Sequence, residues 1–163
     1  MMPRLTNPAH RARRALRSRG GFSLIELMMV VGILGLLAAL GIPRYREMKR
    51  RAYAASIASD FNAVRIAAYA YFADNSTYPP DGSPGTPPAA LLPYLPQNFS
   101  FDKGNYTLDY DVWPSPLNPS QLVVGVTVTS QDQELVNMVA RNSAAGGLGL
   151  NIGNGYTYIV AGL

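Results

Sequence analysis

Glu26 is the one charged side chain between Phe22 and Ile42, a run of 21 residues made otherwise of apolar and small groups. A carboxylate in a bilayer interior costs roughly 2.5 to 3.5 kcal/mol on insertion scales, so it calls for a partner or a proton. The run itself offers none. Immediately upstream stand Gly20 and Gly21, and a peptide bond cut after Gly21 would place a new cationic amine on Phe22. Four residues separate that amine from Glu26, about 6 Å of helix rise. A second copy displaced by that rise would set its Phe22 amine level with this Glu26. Neutralising the two charges in low dielectric favours association, although desolvation offsets much of the Coulomb gain. The chemistry on offer is charge pairing between subunits, a device that sets assembly register.

The elements that must position this pair follow from length and flanks. About 20 apolar residues span the hydrocarbon core as a helix, and Phe22 to Ile42 meets that length. Residues 1–21 carry Arg4, Arg11, Arg13, Arg14, Arg17 and Arg19 and no acid, which holds that end on the cytoplasmic side. Everything after Ile42 then faces outward. A cleavable secretory signal also joins a basic start to an apolar middle, but its small residues follow the apolar segment; here Gly20-Gly21 precede it.

Gly21 followed by Phe22-Ser23-Leu24-Ile25-Glu26-Leu27 and the run to Ile42-Pro43 resembles the prepilin signature shared by type IV pilins and the pseudopilins of type II secretion. The resemblance covers residues 19–78 best. It implies an α+β, pilin-like fold with a long N-terminal helix, half membrane-spanning and half amphipathic, packed on a small antiparallel sheet. It further implies that a prepilin peptidase cuts between Gly21 and Phe22 and methylates the new amine, and that Glu26 is the register glutamate. Gly35, Gly41 and Pro43 would mark the segment able to kink or lose helicity in a filament. The partners implied are the peptidase, further copies of the chain in a homopolymer, and the inner-membrane machinery of a pilus or a type II secretion system.

Three features depart from the common pattern. The leader, at 21 residues, is long, and Ser23 stands where threonine is frequent. The chain also contains no cysteine, whereas many pilins close a C-terminal loop with a disulfide, so the outer domain must rely on its core or on a metal for stability. Of 14 Lys and Arg, six lie in the leader, which leaves eight against 10 acidic residues. The net charge of +4 thus belongs to the precursor, and a nucleic-acid footprint loses its basis. The remaining cluster of Arg44, Arg46, Lys49, Arg50 and Arg51 reads as a collar facing headgroups or other subunits.

Beyond Pro43 the spacing of Ile57, Phe61, Val64, Ala68 and Tyr71 gives one apolar stripe, which predicts an amphipathic helix over 44–73. Asn75 to Pro80 ends it. Seven prolines between Pro79 and Pro96 predict loop with a short helical turn near 89–94. Strands are expected at 106–113, 122–129 and 156–160 and a short helix at 132–141. Gly146 to Gly155 reads as a glycine-rich turn. The domain plan is therefore a leader over 1–21, the spanning half of the helix over 22–42, and a headgroup over 43–163.

Catalytic groups are scarce. His10 is the only histidine and lies in the leader, so a mature histidine-based triad or acid–base pair is excluded, as is cysteine chemistry. The chain is not read as an enzyme. Gly153-Asn154-Gly155 lacks the Lys and Ser/Thr of a phosphate loop. Asp102, Asn105, Asp109 and Asp111 offer oxygens of the kind Ca²⁺ takes, yet their spacing matches no calcium loop, and alternation places Asp109 and Asp111 on the solvent face of a strand; no metal or cofactor is assigned. Tyr94, Tyr106, Tyr110 and Trp113 would suit a sugar-binding face, but aromatics in strands commonly fill cross-strand and core positions. The competing class is a membrane-anchored periplasmic binding or adhesion protein that uses residues 22–42 only as a tether. Intact mass separates these readings at the first step: the mature chain is expected to begin at a methylated Phe22, and a chain that keeps its leader, or is cut near Ala38 to Gly41, contradicts the prepilin resemblance.

Overall fold

In the computed structural model, which describes residues 21–143 and 148–162, the chain forms two compact units, one ending at Gly41 and the other running from Ile42. One helix, α1 (Leu24–Asn75), enters both and passes through Pro43 without a break in its assignment. It ends where Ser76 takes a left-handed φ of 57°, with the Ser76 N–H donating to Phe72 O at 2.8 Å and the Asn75 side-chain amide donating to Tyr71 O at 2.9 Å, so two of the helix's terminal carbonyls are satisfied.

In the first unit the apolar side chains of Phe22 to Leu40 are exposed. A Cβ added at Gly32, Gly35 or Gly41 would meet nothing within 4 Å. These glycines therefore serve no close packing inside the chain.

In the second unit α1 turns an apolar stripe inward. Ala54, Ile57, Phe61, Val64, Ala67 and Ala68 are buried, and Tyr71 at the end of the expected stripe is half-buried. They join a core with one face of an antiparallel sheet of four strands, β1 (Thr107–Pro114), β2 (Leu122–Thr129), β3 (Gly149–Ile152) and β4 (Gly155–Ala161), in the order β1-β2-β4-β3. Period-two alternation sends Leu108 and Tyr110, Val124, Val126 and Val128, and Tyr156 into that core. Phe61 stacks on Tyr158 with ring centroids 5.5 Å apart. Between β2 and β3 the short helix α2 (Gln133–Ser143) adds Leu135, Val136 and Val139. The turn near 89–94 is a 3₁₀ segment, Leu92–Tyr94.

The stretch read as a glycine-rich turn is in part a strand. Gly149–Ile152 pairs with β4 as Gly149↔Tyr158, Leu150↔Thr157, Asn151↔Tyr156 and Ile152↔Gly155, and the turn itself shrinks to Gly153-Asn154; Gly146 and Gly147 lie outside the described residues. At the opposite edge the proline-rich loop closes β1. Gly82 and Gly85 N–H groups donate to Tyr110 O and Leu108 O, both at 2.8 Å, and the Val112 N–H donates to Asp81 Oδ1 at 2.7 Å. A covered edge does not recruit foreign strands.

The outer face of the sheet is more structured than simple solvent exposure. Asp109 and Asp111 are half-buried rather than free in water. The Thr157 and Thr127 hydroxyls bond each other at 2.8 Å, and Thr127 Oγ1 donates to Asp111 Oδ2. Asp109 Oδ1 is buried without a partner. Burial first, then the negative charges of Asp111 and Asp81, push the Asp109 carboxyl up to about 6. Trp113 lies over Gly125, where a Cβ would come within 2.8 Å of the indole and 2.7 Å of Thr157 Cγ2.

Two outcomes follow from this face. Gly125→Ala forces the indole aside and should destabilise the fold by ~1–3 kcal/mol, read as a lowered melting temperature with a red-shifted Trp113 emission; an unchanged spectrum would mean that Trp113 does not rest on Gly125. Because the folded protein holds the Asp109 proton more tightly than an ordinary carboxylate of pKa 3.8, this group opposes folding above about pH 6 and the cost fades as pH falls towards about 4. Asp109→Asn should therefore raise the melting temperature at pH 7.5 and leave it nearly unchanged at pH 4. Water over the exposed part of the group keeps the effect to on the order of 1 kcal/mol.

Candidate functional site

Helix α1 begins with a reciprocal cap. The Ser23 N–H donates to Glu26 Oε2 at 2.8 Å, and the Glu26 N–H donates to Ser23 Oγ at 3.2 Å. This is a capping box, in which an N-cap hydroxyl and a carboxylate three residues later each satisfy a backbone N–H that the helix leaves open. It corrects the expectation that nothing local partners Glu26: its own chain supplies one hydrogen bond. The carboxylate is thereby fixed at the first turn, where the helix dipole also favours negative charge. One oxygen is used, and Oε1 has no partner among the described residues. Phe22 is exposed beside it and Gly21 precedes it in irregular backbone. Helix α1 is long and apolar enough to cross a membrane by length and composition, and none of its apolar window is buried.

The basic residues beyond Ile42 do not form a uniform collar. Arg51 pairs with Glu47 at 2.5 Å, one turn away on the same helix. Arg50 is half-buried, and its Nε donates to Asp132 Oδ2 at 2.7 Å across 82 residues. That bond, followed by the charge attraction, holds the Asp132 carboxyl below the usual range and raises Arg50. Arg44, Arg46 and Lys49 are exposed, and Lys49 Nζ sits 5.5 Å from the Tyr53 ring centroid.

One buried carboxylate was not anticipated. Asp60, 8% exposed on the inward face of α1, accepts a hydrogen bond from Tyr106 Oη at 2.7 Å and lies 3.5 Å from Lys103 Nζ; Ser56 Oγ is 3.1 Å from the same Tyr106 hydroxyl. Burial is the main reason the Tyr106 phenol is pushed up to about 12. The pattern was visible in outline, since Asp60 interrupts the stripe between Ile57 and Phe61. A satisfied buried ion pair of this kind fixes how helix and sheet meet, and it brings no reactive group to the surface.

The remaining candidates disperse. Tyr106 and Tyr110 are core residues, Trp113 faces the other side of the sheet, and Tyr94 donates to Asp74 Oδ2 at 2.9 Å. No shared aromatic face results. Asp102 caps its own turn by accepting from the Gly104 N–H at 2.8 Å, away from the Asp109–Asp111 pair. Among the described residues no three His, Cys, Asp or Glu side chains gather as a metal site. His10 and the leader arginines lie outside the described residues.

Residues 16–42 match the family model "Prokaryotic N-terminal methylation motif". Over 115 residues the chain is 35% identical to the type II secretion system core protein G of Aeromonas hydrophila, covering 64% of this chain and 77% of that protein. It is 32% identical over 112 residues to the protein of the same description from Pseudomonas aeruginosa, covering 61% and 72%. A fimbrial protein of Pseudomonas aeruginosa is 42% identical over 53 residues, 32% of this chain and 34% of that protein. No solved structure matches. With the capped glutamate at the head of an exposed apolar helix, a small antiparallel sheet in the second unit, and relatives of this coverage, the chain belongs to the type IV pilin and type II secretion pseudopilin family, whose members are structural subunits and not enzymes.

Proposed function

We propose that this chain is the repeating subunit of a type II secretion pseudopilus, cut between Gly21 and Phe22 by prepilin peptidase, methylated on Phe22, and polymerised through its N-terminal helix. The observation that carries the choice of pseudopilus over pilus is the extent of similarity. The likeness to core protein G runs through 115 residues and so reaches into the headgroup, whereas the fimbrial likeness spans 53. The leader would keep to the cytoplasm and the headgroup to the periplasm, with the inner-membrane assembly machinery as further partner.

The cap gives the register idea a concrete form. Glu26 Oε2 is spent on the Ser23 N–H, so the carboxylate points from a fixed first turn and offers Oε1 to the amine of Phe22 of the partner subunit. An incoming subunit offset by about one turn satisfies both ions, and any other stagger strands them in hydrocarbon. Van der Waals packing along Phe22 to Ile42 holds the subunits together once they leave lipid for one another, and the ion pair selects among alignments. Pro43 removes one helical hydrogen bond and Gly35 and Gly41 lower helix propensity through backbone entropy, which suits a segment that yields as the helices pack.

Glu26→Leu tests this directly. The variant is expected to insert at least as well as the parent, because an intramembrane carboxylate is removed, yet to yield few or no filaments. In cells it should leave exported proteins in the periplasm while surface-pilus motility persists. Normal polymer from Glu26→Leu would overturn the charge-pair account of register, absence of polymer from the parent chain would favour the tethered binding protein, and lost motility with normal secretion would move the chain to a pilus.

A further inference from the structure

The second unit contains a groove of about 800 Å³, within the size range of small-molecule clefts. Its walls are the start of this unit's helix, the head of β1 and the end of β2. Arg46, Lys49 and Arg50 line one side, and Asn105, Gln131 and Asp132 line the other. Arg50 and Asp132 neutralise each other at 2.7 Å. Arg46 and Lys49 are left as two exposed cations facing side-chain amides, with no ion-pair partner among the described residues. Amide N–H groups and two cations are the donor set that a phosphate diester takes.

Position along the helix says where such a phosphate comes from. Arg46 and Lys49 follow Ile42, the last residue of the apolar run, by four and seven residues, about 6 and 10 Å of rise. The headgroup layer adds roughly 5 to 7 Å beyond the hydrocarbon on each side, and long basic side chains extend along it. We propose that this groove is a binding site for the phosphodiester headgroup of an anionic phospholipid, which holds the unassembled subunit at a set depth and must be given up as the subunit leaves the membrane. The inference rests on the membrane-anchored reading of residues 22–42. A protein recovered from the soluble fraction without detergent would defeat that reading itself, an outcome distinct from any below.

The test is native mass spectrometry of the full processed chain in detergent micelles, titrated with dioleoylphosphatidylglycerol, dioleoylphosphatidylcholine or inorganic phosphate. One phosphatidylglycerol should be retained per chain, in preference to phosphatidylcholine, and Arg46→Gln with Lys49→Gln should weaken retention about tenfold or more. The charge-preserving exchange Arg46→Lys with Lys49→Arg should retain it, which separates lost charge from lost fold. Arg44→Gln with Arg51→Gln removes equal charge outside the groove and should change retention by less than about twofold. Equal retention of both lipids, equal losses in the two glutamine pairs, or inorganic phosphate bound as tightly as the lipid would each overturn the site. Unchanged lipid retention together with lost polymer in Arg46→Gln with Lys49→Gln would assign the groove to an acidic face of a second copy and overturn the lipid reading.

Discussion

A carboxylate placed in an otherwise uncharged run of 21 residues is the constraint on which the rest of this protein turns. Left alone it would weigh against insertion by a few kcal/mol, more than one ordinary exposed contact returns. The sequence answers in two stages. Ser23 takes up one oxygen through the capping box, which stabilises the first helical turn and fixes the direction of the carboxylate. The second oxygen has no partner among the described residues. A group half satisfied by its own helix keeps a second acceptor oxygen for the subunit pairing proposed above. On the proposal above, the subunit survives in lipid as a monomer, yet pairing still lowers its free energy.

That constraint also explains the division of labour along α1. Up to Gly41 no side chain is buried, whereas from Ala54 onward every third or fourth residue is buried under the sheet. The headgroup thus needs only the later turns for its core, and the earlier turns keep their apolar side chains exposed. Ion pairs in the second unit follow the same economy. Asp60 is buried and fully engaged by Tyr106 and Lys103, which pins helix to sheet; breaking one partner of such a pair costs far more than the pair contributes against an apolar substitute.

How much of this was legible in the sequence depends on whether a signal was local. The apolar run, the stripe from Ile57 to Ala68, and strands at 107–114 and 122–129 are periodic over many residues, and the structure places them within a residue or two. The capping box was equally local, a serine three residues before a glutamate, but reading Glu26 as a lone ion hid it. Strand β3 had no such signal. Four residues, Gly-Leu-Asn-Ile, owe their extended form to pairing with β4, a tertiary effect that propensity does not report. The Arg50–Asp132 bond joins residues 82 apart, so the groove it braces exists only once the fold has formed.

The absence of cysteine puts a particular demand on that fold. With no disulfide to restrict the unfolded chain, an outer domain must hold its sheet edges by other means. Here the loop at 81–85 supplies three hydrogen bonds to β1, a closure that in effect substitutes for an added strand. The other edge, β3, exposes Leu150 and Ile152. An uncovered edge with apolar side chains is a liability in a free monomer, yet it is short, and pairing with β4 uses only four residues. Shortness limits how much foreign strand such an edge can recruit. The domain therefore manages its two edges differently, one by covering it and one by keeping it brief, and neither solution depends on the helix that carries Glu26.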